Sequence, residues 1–130
     1  MTKKELIETL QKLDIPFNEA ILSDDDADSF EHINFWDYVW TPLPASSSSY
    51  SFTVTYQISF ISGKPRSEKL LELIKLLLEQ NYPVQVYHEY IAKNRHWHSY
   101  FSLDVLEDII NVWRVQWIAK RIKRYLKKCW

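Results

Sequence analysis

Glycine is nearly missing from this 130-residue chain, and Gly63 is the single one. A loop that grips phosphate needs several glycines, because only a residue without Cβ lets the backbone approach the anion closely. Neither a Gly-x-Gly-x-x-Gly string nor a Walker-type loop occurs, which excludes the common nucleotide-binding enzymes. Cysteine is as scarce. Cys129 stands alone, so one chain can form neither an internal disulfide nor a cysteine-based zinc site. No stretch approaches the roughly 20 apolar residues that span a bilayer. Met1-Thr2-Lys3-Lys4-Glu5 leads into an amphipathic segment rather than a signal-type apolar run, so synthesis in the cytoplasm is expected.

Aromatic side chains are abundant instead. They make up 15% of the residues, with six Trp and eight Tyr. Aromatics carry large contact areas and are enriched in cores and at protein interfaces. A single small domain can hide only some of them, which points to a partner surface. Charge is unevenly spread. The net charge is −1, yet every acid lies within residues 1–113. Residues 114–130 hold Arg114, Lys120, Arg121, Lys123, Arg124, Lys127 and Lys128 with no acid. A basic end on an acidic body implies a separate contact for that end.

Hydrophobic spacing predicts the elements. Leu6, Ile7, Leu10 and Leu13 form one helical stripe over 2–13, with Thr2 and Glu5 at capping-box spacing. Residues 17–22 read as a short strand, 23–29 as an acidic loop, and 33–40 as a strand rich in aromatics. Prolines 42 and 44 and serines 46–49 mark a hairpin tip. Residues 50–61 alternate without error: Phe52, Val54, Tyr56, Ile58 and Phe60 against polar neighbours. That is a strand with one buried and one wet face, paired antiparallel to 33–40. Ser67 is placed to cap a helix to about Gln80, with Leu70, Leu71, Ile74, Leu77 and Leu78 as its apolar face. Strands over 84–91 and 96–105 are joined by a turn at 92–95. From about Asp108 to Lys128 the pattern is helical, with Ile109, Trp113, Trp117, Ile118, Ile122, Tyr125 and Leu126 on one side. The expected fold is α+β: a mostly antiparallel sheet of four to five strands, an N-terminal helix, a central helix on one face and a basic C-terminal helix. Residues 1–107 form the body and 108–130 its basic amphipathic extension.

This order of elements resembles the tail-completion and tail-terminator (head–tail joining) proteins of siphophages. The strings that carry the likeness are Met1-Thr2-Lys3-Lys4-Glu5-Leu6-Ile7 running into Leu13-Asp14-Ile15-Pro16-Phe17, and Ile58-Ser59-Phe60 closing the second central strand. The charged helix Glu68 to Glu79 follows, then Val84 to Ile91 and Trp97 to Leu103 as a closing hairpin. The likeness spans about residues 1–107. The acidic loop, the serine tip and the basic extension depart from it. It implies a virion structural protein, made in the host cytoplasm, that forms a homo-oligomeric (hexameric) ring. Such a ring caps the tail tube or meets the head-side connector, binds no cofactor and catalyses nothing.

Other constellations point elsewhere. Asp24, Asp26 and Asp28 have the start of an EF-hand loop, but Ser29 and Phe35 occupy positions that need Gly and Glu; a solvated loop is the simpler reading. His96 and His98 share a strand face, and His88 lies on the strand beside it, so three imidazoles are candidates for zinc. Glu89 with Asp104 or Glu107 is a candidate carboxylate pair. No metal, cofactor or catalytic set is expected from either. Alternation puts Trp36, Tyr38 and Trp40 on the face opposite Phe35, Asp37 and Val39. That aromatic face is the expected subunit contact, since small proteins rarely leave such a patch bare. The basic residues 114–128 are expected to touch DNA, an acidic neighbouring subunit or solvent; a membrane-surface helix is a further reading of the same segment. A small nucleic-acid-binding regulator is thus the alternative to the ring subunit. A histidine-based metal enzyme is the third.

Overall fold

The computed structural model describes residues 1–20, 31–43 and 51–110. Within them the order is α1 (Lys3–Gln11), β1 (Phe17–Glu19), β2 (His32–Pro42), β3 (Phe52–Ser62), α2 (Glu68–Glu79), β4 (Tyr87–Ile91) and β5 (His96–Glu107). The acidic loop, the serine tip and the extension beyond Ile110, with all seven of its basic residues, lie outside the described residues.

The α+β expectation holds, and the sheet is mixed. Its order is β1-β2-β3-β5-β4. β2–β3, β3–β5 and β4–β5 are antiparallel, while β1 runs parallel to β2 from Phe17↔Ile33 to Glu19↔Phe35. The alternation in β3 is realised fully. Val54, Tyr56, Ile58 and Phe60 are buried on the face that also receives Ile33 and Phe35 from β2 and Phe101, Leu103 and Val105 from β5.

Both described helices close that same core. Leu6, Leu10 and Leu13 descend from α1 and its last turn, and Leu70, Leu73 and Leu77 from α2. The capping box of α1 is present: the Glu5 N–H donates to Thr2 Oγ1, and the Thr2 N–H donates to Glu5 Oε2, both at 3.3 Å. Two orphan donors of the first turn are thereby satisfied. Asp14, at φ 55°, turns the chain out of α1 ahead of Pro16. α2 begins differently from the expectation. Ser67 makes no side-chain cap; its hydroxyl donates to Glu31 Oε1 at 2.9 Å. It ends in a Schellman motif. Asn81 at φ 64° lets its N–H reach Leu78 O at 3.0 Å and the Tyr82 N–H reach Leu77 O at 2.9 Å.

The apolar face of α2 is also rotated from the expected one. Leu73 is buried at 1% exposure, while Leu71 and Leu78 stand 56% and 55% exposed. Leucines surround this helix, so spacing alone admits two stripes. The sheet selects the one at 70, 73, 74 and 77, with Ile74 packed at its margin.

Candidate functional site

The aromatic strand β2 is interrupted by a bulge. The ladder runs Trp36↔Gln57, Asp37↔Tyr56 and then Val39↔Thr55, so Tyr38 is the extra residue. An added residue bends the strand and moves everything after it to the other face. Trp36 therefore stays on the face turned away from the helices, half-buried beside Gln57. Tyr38 reaches across β3 on that face, with its hydroxyl 2.9 Å from Ser102 Oγ. Trp40 crosses to the helix side, opposite Val54, where its indole N–H donates to Asp37 Oδ2. The three aromatics expected on one face are split two and one, and Asp37 and Trp40 share a side. They still share an end of the sheet. Tyr38, Val39 and Trp40 are 52%, 42% and 56% exposed, and Leu43 and Leu106 stand exposed beside them.

That end is acidic. Pro42, Phe52 and Glu107 lie in one row across β2, β3 and β5. Asp37 and Glu107 lie on the helix side toward it, and Asp104 projects from the other face. Asp104 accepts from the Thr55 hydroxyl at 2.7 Å, and Glu107 accepts from the buried Tyr56 hydroxyl at 2.9 Å. Burial and this carboxylate push the Tyr56 hydroxyl far above the ordinary tyrosine range, so it remains a donor at any physiological pH. Lys3 is a cation nearby, 2.8 Å from Glu19 and 3.9 Å from Glu107, and the Met1 carbonyl accepts from Leu106 N–H at the same end.

The opposite end is basic. Ser62↔Trp97 and Ile91↔His96 close the strands there, and the turns that follow them carry Lys64, Arg66, Lys93 and Arg95, all exposed. Among the described residues none of these four meets a carboxylate within ion-pair distance. The sequence contained this signal, two turns with two cations each and no acid. The turns become one cluster only when β5 lies between β3 and β4.

The histidines do not converge. His98 sits on the face away from the helices, 4.0 Å from Glu89 and tilted at 4.9 Å against Tyr100, which itself stacks on Tyr87 at 5.5 Å. His88 pairs with Ser99, which places it on the other face, with its Nδ1 2.7 Å from the buried Ser99 Oγ. Among the described residues no three His, Cys, Asp or Glu side chains are grouped as a metal would need. The three candidate imidazoles are therefore split, with His96 and His98 on one face and His88 on the other. Burial pulls the pKa of His98 below the ordinary value, with His96 adding to the fall and Glu89 opposing it. The carboxylate pair fails similarly. Glu89 stands beside His98, six residues along β5 from Asp104, or about 20 Å at strand rise. Glu107 projects from the opposite face, next to Phe52.

One further feature marks the face away from the helices. Asn34 and Ser59 are paired neighbours on it, and Asn34 Oδ1 and Ser59 Oγ are buried with no hydrogen-bond partner among the described residues. Between α1 and α2 a shallow cleft is lined by Glu5, Glu8, Lys12 and Glu79 around Thr9. Thr9 is fully engaged there, donating to Glu5 O at 2.8 Å and accepting from Gln80 Nε2 at 3.0 Å. No described helix is long and apolar enough to cross a membrane. Comparison with protein-family models, with curated proteins and with solved structures finds no match.

Proposed function

We propose that this chain is a non-enzymatic assembly module, a small α+β subunit whose work is done by its surfaces. More particularly, we read it as a tailed-phage virion protein, a subunit of a hexameric ring that completes the tail or joins tail to head. The observation that carries the reading is the bare aromatic end of the sheet, with Tyr38 and Trp40 more than half exposed. Such a patch on a small domain calls for a protein partner, and Tyr and Trp are the side chains that anchor such contacts. The order of elements and the strings quoted above supply the phage assignment.

The test is the neighbourhood of the gene. Flanking genes for a portal, a major tail protein and a tape-measure protein support the reading; a setting without virion genes sinks it. The alternative, a nucleic-acid-binding regulator, draws on Arg114, Lys120, Arg121, Lys123, Arg124, Lys127 and Lys128. It requires duplex binding by the monomer with a steep salt dependence. In the ring reading those residues meet either DNA in the lumen or an acidic neighbour.

A further inference from the structure

A ring closes through a heterologous contact, in which two different surfaces of the same chain meet head to tail. The described residues offer two such surfaces at opposite ends of one sheet. We propose that the acidic aromatic end (Asp37, Trp40, Asp104) docks on the basic turn end (Lys64, Lys93, Arg95) of a second copy. The inference rests on the assembly reading above and names its partner surfaces.

Three observations support a second copy as the occupant. The first is charge complementarity. The basic turns hold four exposed cations that meet no carboxylate within ion-pair distance among the described residues, where Glu31 at that end is held by Ser67, and the far end presents Asp37 and exposed Asp104. Opposed potentials steer two copies into one orientation and disfavour like ends meeting. The second is apolar content on both sides. Trp40 is 56% exposed at the acidic end; Tyr90 is 51% exposed on β4 and packs at 5.3 Å on Trp97, one residue from the basic turn. Each end thus has an aromatic anchor ringed by charge, which is how a small interface concentrates its energy. The third is the edge of β2, which among the described residues only β1 covers. β1 covers β2 only from Ile33 to Phe35, and beyond it β2 carries a bulge and Pro42. Both devices block strand addition. This argues for contact through side chains at the strand ends and against a sheet running on between copies through β2.

The experiment uses full-length chains in a Cys129→Ser background, followed by sedimentation velocity. One variant, K64E/K93E, breaks the basic end. The other, W40A/D104N, breaks the acidic end. All four positions are exposed, and circular dichroism confirms that both variants fold. The wild type is expected to self-associate, with association weakened at least tenfold in either variant alone. The two variants mixed in equal amounts form a one-to-one dimer, because each keeps the end that the other lacks. A mixture that stays monomeric while the wild type associates overturns the proposal, as does a wild type that stays monomeric at every concentration. Association that one variant abolishes and the other leaves untouched shows a symmetric contact and also overturns it. Loss of duplex binding in K64E/K93E without loss of association assigns the basic turns to nucleic acid instead, and is equally fatal. None of these outcomes depends on the neighbouring genes, so the contact and the phage assignment can fail separately.

Discussion

At the scale of single residues, His98 is the titrating group with a direction to test. Its side chain is 18% exposed, and burial depresses its pKa in the folded state. A depressed base resists the proton that the unfolded chain accepts freely. The unfolded state therefore binds more protons below about pH 6.5, and stability falls as pH drops from there through the folded-state pKa. Glu89 at 4.0 Å favours the charged form and softens this loss, while His96 sharpens it. Tyr100, tilted against the ring, contributes burial. The expected outcome is that His98→Gln flattens the dependence of unfolding free energy on pH between 7 and 5, as measured by urea titration at each pH. An unchanged slope would show that His98 is not the group responsible. His88 illustrates how a residue's role follows from register. With a four-residue turn at 92–95, Ile91 faces His96, and counting back puts His88 opposite Ser99. The sequence already held that count, which separates His88 from the other two histidines.

At the scale of elements, the two helices and β3 were legible because their patterns allow one solution. β3 alternates without exception, and the capping box of α1 joins a good N-cap to an acid three residues on. α2 was legible as a helix but not in its rotation. The choice between Leu71 with Leu78 and Leu73 depends on the sheet beneath, which local spacing does not contain. The structure makes that choice testable. Leu73→Ala removes a side chain at 1% exposure and is expected to cost about 2–5 kcal/mol. Leu71→Ala, at 56% exposure, is expected to cost less than about 1 kcal/mol. Equal losses in chemical denaturation would mean that the helix is seated on the other stripe. The bulge at Tyr38 was invisible for a different reason. Trp36 to Trp40 alternates well enough for a regular strand, and an inserted residue leaves no mark in a run that is aromatic on both faces. Three-residue β1 was likewise too short to declare itself parallel.

At the scale of the whole molecule, the described residues give the sheet's two ends opposite charge, a property of topology that no window of sequence displays. Lys64 and Lys93 lie in turns 29 residues apart, and the sheet order brings those turns to one end. Salt separates the two parts of the contact proposed above. Attraction between exposed charges weakens as the Debye length shrinks from about 10 Å at 0.1 M salt to about 3 Å at 1 M. Apolar burial is not screened. Self-association of the wild type is therefore expected to weaken at least tenfold between 0.1 and 1 M sodium chloride. In K64E/K93E the remaining association should depend little on salt, whereas W40A should weaken association at every salt concentration. Sedimentation across this series reads all three. If wild-type association instead strengthens with salt, apolar surface alone holds the copies together, and the charged ends have another partner. A duplex would be the first to try, since its binding would fall with log salt by about 0.9 per phosphate neutralised.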